Sequence, residues 1–222
     1  MDQCGGGCCG PCGRCHRLNE LTGLAARRLE GQPTAPQERV PRERKFDVRH
    51  GRVVGLSGPL AAGKTTTAEI LASLGYFHIR IREVLRPLLP QGESGTRAEL
   101  QQLGLRVREE RGQAWLYTQA LAATPQDVSL VVIDALRFGE DYRIFHDLFG
   151  QRFEHVHVTS DSSTRRSRYE LRGGSGQEYD LATIHPVELD IPSLAAVSQR
   201  TIVNEGSVDD LKVAVVALFT DR

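Results

Sequence analysis

From Arg52 onward, apolar positions fall into short unbroken runs separated by stretches with helical spacing. Val53-Val54-Gly55-Leu56-Ser57 is one such run and enters a glycine-rich loop, as a buried strand does. Residues 65–74 read as a helix with Ala68, Leu71 and Ala72 turned inward, and Gly75 stops it. A second strand is predicted over residues 77–81. Residues 97–111 put Leu100, Leu103 and Val107 on one helical face and Arg97, Gly104, Arg108 and Arg111 on the other. The run Leu130–Ile133 is continuously apolar and stops at Asp134, the pattern of a parallel strand covered on both faces. Residues 154–159 and 201–203 predict two more strands, and 208–218 a closing helix with Ser207 and Asp210 spaced as a capping pair. Strands alternating with helices predict an α/β fold built on a doubly wound parallel sheet.

The first 50 residues have a different character. Gly5, Gly6, Gly7, Gly10 and Gly13 work against regular structure, and residues 31–44 are proline-rich and charged, the composition of a linker. Leu18, Leu21, Leu24 and Ala25 can line one face of a short helix between them. We therefore expect a Cys-rich N-terminal appendage over residues 1–50 and one principal domain over 51–222, which the length of 222 residues permits. All five cysteines lie in the first fifteen residues, so none is left to staple the main domain, which must hold by its core. Cys9, Cys12 and Cys15, followed by His16, have ligand-like spacing and make zinc a candidate there. Against it, structural zinc takes two separated pairs, and an iron–sulfur run needs a fourth cysteine that is missing. A thiol-rich tail without metal is the alternative.

Lys plus Arg and Asp plus Glu number 28 each, so the formal net charge is zero. Bulk nucleic-acid or membrane binding is not indicated, and no apolar run approaches the roughly 20 residues of a membrane span. No signal pattern is evident at the N-terminus, so the expected address is cytoplasmic. Lys45, Lys64 and Lys212 are the lysines; every other cationic side chain among those 28 is an arginine, whose planar fork suits phosphate.

The segment Gly58-Pro59-Leu60-Ala61-Ala62-Gly63-Lys64-Thr65 fits G-x-x-x-x-G-K-[ST] in full, with an apolar strand before it and a helix after. The glycines let backbone N–H groups curl around phosphates, Lys64 brings a charge to them, and the Thr65 hydroxyl, with Thr66 beside it, faces Mg²⁺. These eight residues predict binding of ATP or another nucleoside triphosphate. Asp134, at the end of an apolar strand, is the candidate second Mg²⁺ position through water, the alternative being a strand-end aspartate that caps a turn. Arg165, Arg168 and Arg172 stand at i, i+3 and i+7, with Gly173 and Gly174 after them. A helix would gather them on one face as a lid that closes over a transferring phosphoryl group. A solvated basic helix is the other reading. Arg82 and Arg97 are the preferred acceptor-binding candidates among Arg80, Arg82, Arg86, Arg97, Arg106 and Arg108. His155 and His157 share a strand face and read as ordinary strand residues, no third metal ligand being near.

Several segments carry a family resemblance. Asp134-Ala135-Leu136-Arg137 resembles the D-G-x-x-R segment of nucleoside monophosphate kinases. Val84-Leu85-Arg86, Thr96-Arg97, Leu100-Gln101-Gln102-Leu103-Gly104 and residues 201–207 also match elements of those kinases. Residues 52–218, about three quarters of the chain, thus resemble the P-loop kinases grouped with deoxynucleoside monophosphate kinases and dephospho-CoA kinase. The resemblance implies a P-loop NTPase fold of the monophosphate-kinase type and an arginine at Arg137 that reaches phosphate groups. It also implies a contact from Asn204 toward the nucleotide base and a small phosphorylated acceptor, a nucleotide foremost. One departure bears on the acceptor. Dephospho-CoA kinases carry an aspartate just after the second strand, suited to activating a hydroxyl, whereas Arg80-Ile81-Arg82-Glu83 stands here. An anionic phosphate acceptor needs charge neutralisation and positioning, not a base, so the arginines favour it, although Glu83 can serve as a base. The expected activity is an ATP-dependent phosphotransferase acting on a (deoxy)nucleoside monophosphate or similar metabolite. The alternatives are a kinase of a hydroxyl acceptor, such as dephospho-CoA or a modified base in DNA, and a non-catalytic nucleotide-dependent switch that senses metal or redox state through the cysteines.

Overall fold

The computed structural model describes residues 51–220; the proposed appendage, its cysteines included, lies outside the described residues. Five strands form one sheet: β1 Arg52–Ser57, β2 Phe77–Ile79, β3 Leu130–Ile133, β4 Phe153–Thr159 and β5 Arg200–Val203. Their order is β2-β3-β1-β4-β5, and every neighbouring pair is parallel. Parallel neighbours require crossovers, and the helices supply them. In chain order these are α1 Lys64–Ser73, α2 Ile81–Leu85, α3 Arg97–Arg111, α4 Gln113–Ala122, α5 Gly139–Phe149, α6 Ser162–Glu170, α7 Gly176–Thr183, α8 Pro186–Leu189, α9 Ile191–Ala196 and α10 Val208–Thr220.

Alternate residues of the central strands feed opposite faces of the sheet, so the core has two parts. Val54, Leu56, Val132 and Val156 pack with Ala68 and Leu71 of α1 and with Leu211 and Val215 of α10. On the other face Val53, Val131 and Ile133 meet side chains from α2, α3, α4, α5 and α9, with Phe145, Phe149 and Phe153 at the centre. Fully burying a side chain such as Leu71 or Ile133 is worth about 1.5–3 kcal/mol. With both faces covered, β3 is apolar throughout (LVVI), and β1 carries Val53, Val54 and Leu56 between an exposed Arg52 and a buried Ser57. The doubly wound parallel sheet expected from the sequence is the observed one.

Helix α3 has the predicted bounds, and its start is fixed by a reciprocal cap: Glu99 N donates to Thr96 Oγ1 (3.3 Å) while Thr96 N donates to the Glu99 carboxylate (2.7 Å). Ser207 and Asp210 make the same exchange ahead of α10. Several local expectations are corrected. Ala72 is exposed, and Thr67 and Ile70 take inward positions with Ala68 and Leu71. Strand β2 ends at Ile79, and Ile81 instead opens α2 with its side chain buried. Helix α6 ends at Glu170, so Arg172 lies in the following turn and not on one face with Arg165 and Arg168. Arg108, placed on the outer face of α3, is half-buried with its guanidinium 3.4 Å from the centroid of the Phe138 ring. Among the described residues no helix is long and apolar enough to cross a membrane.

Candidate active site

The glycine loop leaves the C-terminal end of β1, the strand flanked by β3 and β4. Its backbone takes conformations that most side chains resist: φ is 141° at Gly58, 61° at Ala61 and 109° at Gly63. Space excludes side chains as well, since a Cβ at Gly58 would run into the carbonyl of Val158 in β4. Lys64 opens α1 and is buried, with its Nζ donating to Gly58 O at 2.6 Å and Pro59 O at 2.8 Å. Burial first, and then the nearby Arg137 charge, push its ammonium well below the usual lysine range. A group in that state gains from any anion that reaches it. Asn204, just after β5, donates its amide to Ala62 O at 2.8 Å and so ties the loop to the far edge of the sheet.

Thr65 Oγ1 donates to Asp134 Oδ2 at 3.0 Å, which joins the start of α1 to the end of β3. His78 of β2 brings its Nε2 within 3.2 Å of the same oxygen. Burial pushes the Asp134 carboxyl up, but His78, the Thr65 hydroxyl and the Arg137 charge outweigh it and hold the group below its ordinary value. Asp134 is therefore ionised and, with the Thr65 hydroxyl, offers the hard oxygen donors that Mg²⁺ takes. No group of three or more His, Cys, Asp or Glu is placed to hold a metal ion among the described residues. The zinc candidate Cys9, Cys12 and Cys15 lies outside those residues.

Beside the loop opens a cavity of about 730 Å³. Gly63, Lys64, Thr65, Thr66 and Asp134 form one side, with Arg82, Arg86, Arg97, Arg108, Arg137 and Arg172 around the rest. Apolar positions from α2, α3 and α4, among them Leu85, Leu100 and Leu116, complete the wall. Arg137 Nη1 lies 2.8 Å from Glu188 Oε1, and Arg97 Nη2 lies 3.7 Å from that oxygen. The Glu188 side chain is only 4% exposed, so one buried carboxylate on α8 gathers arginines from two distant segments. Arg82 is exposed and leans on Glu83 at 3.4 Å; Glu83 also meets Arg86 at 3.5 Å and does not line the cavity.

The segment after β4 is divided. Arg165 Nε donates to Ser160 O at 3.0 Å, and the residue borders a second cavity of about 450 Å³ with Pro59, Leu60 and His157. Arg168 donates to the carbonyls of Asn204 (2.8 Å) and Gly206 (2.9 Å), so it braces the segment that holds the loop. Arg172 faces the larger cavity beside Tyr169 and Gly173, whose φ is 89°. Of the three arginines expected to form one lid face, only Arg172 lines the larger cavity.

Four groups escaped the sequence reading. His78 adjoins Asp134; Glu188 collects Arg97 and Arg137; Asp141 holds the turn that carries Arg137. Behind the loop, Ser57 Oγ lies 2.7 Å from His155 Nε2 and 2.9 Å from His157 Nδ1, all three residues being buried. Burial and the neighbouring His157 lower His155 to about 4, and burial with the nearby Lys64 lowers His157, so the network is neutral. Only the strand alternation of the two histidines hinted at it.

A family model described as an AAA domain matches residues 54–183, more than half of the chain. A UPF0200 protein of Methanothermobacter thermautotrophicus is 28% identical over 170 residues, which cover 72% of this chain and 85% of its own. Among solved structures, TT1252 from Thermus thermophilus superposes with a TM-score of 0.52 at 20% identity, covering 78% of this chain and 98% of its own. A dephospho-CoA kinase from Campylobacter jejuni superposes with a TM-score of 0.43 at 14% identity, over 78% of this chain and 97% of its own.

Proposed function

The chain belongs to the AAA domain family, its fold is that of the P-loop NTPases, and from that premise we propose that it is an ATP-dependent phosphotransferase. Its acceptor is a small phosphorylated molecule, with a (deoxy)nucleoside monophosphate the first candidate. Residues 51–222 make up the kinase domain in this reading, and residues 1–50 an appendage. The observation that carries the reading is the charge balance of the larger cavity. Six arginines and Lys64 line it against two carboxylates, Asp134 and Glu178. Both carboxylates already accept hydrogen bonds, Asp134 from Thr65 and Glu178 from Ser175 N and Oγ, and the cations of the wall outnumber them. Such a wall suits an acceptor that is already anionic and needs neutralisation and alignment. A hydroxyl acceptor would want a base, and Glu83 does not line the cavity.

In the mechanism, the loop from Gly58 to Thr66 cradles the donor phosphates. Lys64 exchanges its two carbonyl partners for phosphate oxygens. The Thr65 hydroxyl and the Asp134 carboxylate would hold Mg²⁺, which would supply neutralisation of charge on the donor phosphates. Arg137 stabilises the group in flight, and Arg97 and Arg82 receive the acceptor phosphate. Arg165 enters from the far side of the loop, from the second cavity. Arg168 acts through Asn204, which is on the nucleotide-base side.

The test is transfer of label from γ-labelled ATP to a panel of nucleoside monophosphates, with dephospho-CoA and hydroxymethylated DNA beside them. Labelled diphosphate is the expected product. Label on a hydroxyl acceptor alone would overturn the phosphate reading, and no transfer to any acceptor would overturn the kinase itself.

A further inference from the structure

The five residues from Asp134 to Phe138 carry both Asp134 and Arg137, yet they belong to no helix or strand; Gly139 then opens α5. Their shape is imposed from outside. Leu136 N donates to Leu56 O at 3.2 Å, and Tyr117 Oη of α4 donates to Ala135 O at 3.3 Å. The densest contact is Asp141, which is fully buried. Its Oδ2 accepts from Arg137 N at 2.6 Å and from Phe138 N at 2.9 Å. Its Oδ1 accepts from the Gln113 amide of α4, and Arg108 Nη2 of α3 lies 3.9 Å away. The Arg108 guanidinium then covers the Phe138 ring at 3.4 Å and faces the larger cavity.

This arrangement costs something. Burial disfavours the charged Asp141 carboxylate, and the two backbone donors, Arg108 and Tyr117 recover only part of that, leaving it at about 6. An asparagine would cap α5 without burying a charge. The carboxylate adds a second acceptor oxygen, which binds α3 and α4 to the turn.

We propose that Asp141 is a positioning residue for Arg137: it fixes the arginine's backbone and, through Gln113 and Arg108, couples it to the cavity-lining helices α3 and α4. This rests on the phosphotransferase reading. Arg137 reaches from that turn toward Lys64 and Glu188, so its placement depends on the turn holding one shape. An acceptor that touches Arg108 acts on the same unit, so α3 and α4 transmit occupancy of the cavity to the arginine at the phosphate end.

The experiment is a double-mutant cycle on the full chain with Asp141→Asn, Arg137→Ala and the pair, read as MgATP turnover with and without acceptor. Asp141→Asn is expected to lower kcat about 10- to 100-fold while KM for ATP moves less than about threefold. In the Arg137→Ala background the same change is expected to cost less than about threefold, because the residue it positions is gone. Equal loss in both backgrounds would overturn the proposal and make Asp141 a fold residue only. The wild-type kcat is expected to decline as pH falls through about 6, with Arg108, Tyr117, Glu140 and Asp190 as the other ionisable groups near this corner. That limb should vanish in Asp141→Asn, and its survival would also overturn the proposal. If Asp141→Asn does not fold, Gln113→Leu, which removes one donor to the same carboxylate, takes its place in the cycle. If the wild type shows no turnover, the phosphotransferase reading fails, and the cycle is read instead as affinity for inorganic pyrophosphate. Non-additive losses there sustain the positioning role and additive ones end it.

Discussion

The loop from Gly58 to Thr65 and the arginine-lined cavity beside it are both shaped for anions, by opposite means. The loop is one stretch of consecutive residues, held by backbone geometry and by neutral contacts. Asn204 ties it from the front and the Ser57–His155–His157 network supports it from behind. The cavity draws its arginines from α2 and the turn after it, from α3, and from the turns after β3 and α6. Three of its arginines lie beside buried carboxylates: the half-buried Arg137 and the more exposed Arg97 beside Glu188, and the half-buried Arg108 beside Asp141. A long, flexible arginine has no position of its own. It inherits one from its counter-ion, so carboxylates that touch no phosphate decide where phosphate can be held.

The comparison breaks most visibly at Lys64. Lys64→Ala removes the loop's one charge and is expected to lower single-turnover phosphoryl transfer on the order of 10³-fold or more. The thermal midpoint should shift by only a few degrees, since the lysine's hydrogen-bond partners are two loop carbonyls and not groups of the apolar core. A wild-type rate would show that the loop does not act on phosphate. A collapse of the fold would show that the loop needs its lysine as structure.

Glu188→Gln tests the other half. The neutral amide leaves Arg97 and Arg137 without their shared charge partner, and kcat is expected to fall about 10- to 100-fold. Stability measured by urea unfolding should fall by about 1–3 kcal/mol, less than for a wholly buried pair because both arginines are partly exposed. A variant with wild-type kinetics would mean that the arginines are set by something other than their carboxylate.

The smallest effect sharpens the contrast in the neutral support. His155 stands at about 4 in the folded chain against an ordinary value of 6.5. Between those values the unfolded chain binds more protons than the folded one. The stability this histidine allows is therefore complete above about pH 6.5 and is lost as pH falls toward 4. Asp141 has the opposite sign: its raised value makes its share of stability increase as pH falls through about 6. Melting curves from pH 7 to 4 on His155→Phe should show a shallower acid decline than the wild type. An unchanged slope would place the acid sensitivity elsewhere.

How much of this was legible in the sequence follows the same division. The loop, its flanking strand and Asp134 were readable because the chemistry lies in consecutive residues next to an apolar run. Helix α3 was readable because its apolar stripe is one-sided. Helices α4 and α5 were not anticipated. Helix α4 packs against α2, α3 and α5, and its sequence, QAWLYTQALA, has no clean polar face to mark a period. Ile81 was drawn into β2 because one apolar residue next to a strand fits either element. The carboxylate partners were invisible for a plainer reason. Arg137 and Glu188 are 51 positions apart, and no local pattern says that one will meet the other.

Asn204 and Gly63 together bear on the order in which this chain can change over generations. A methyl group at position 63 would collide with the Asn204 amide, and φ of 109° already disfavours any side chain there. An alanine arising first at position 63 therefore meets both obstacles at once. A serine arising first at position 204 gives up the bond to Ala62 and clears the space, so the second step faces the backbone term alone. The route is not cheap, because the Asn204 carbonyl also holds Arg168 and shifts with any repacking there. The constraint between residues 63 and 204 thus runs one way: Asn204 holds Gly63 in place, and drift at this corner has to start at position 204.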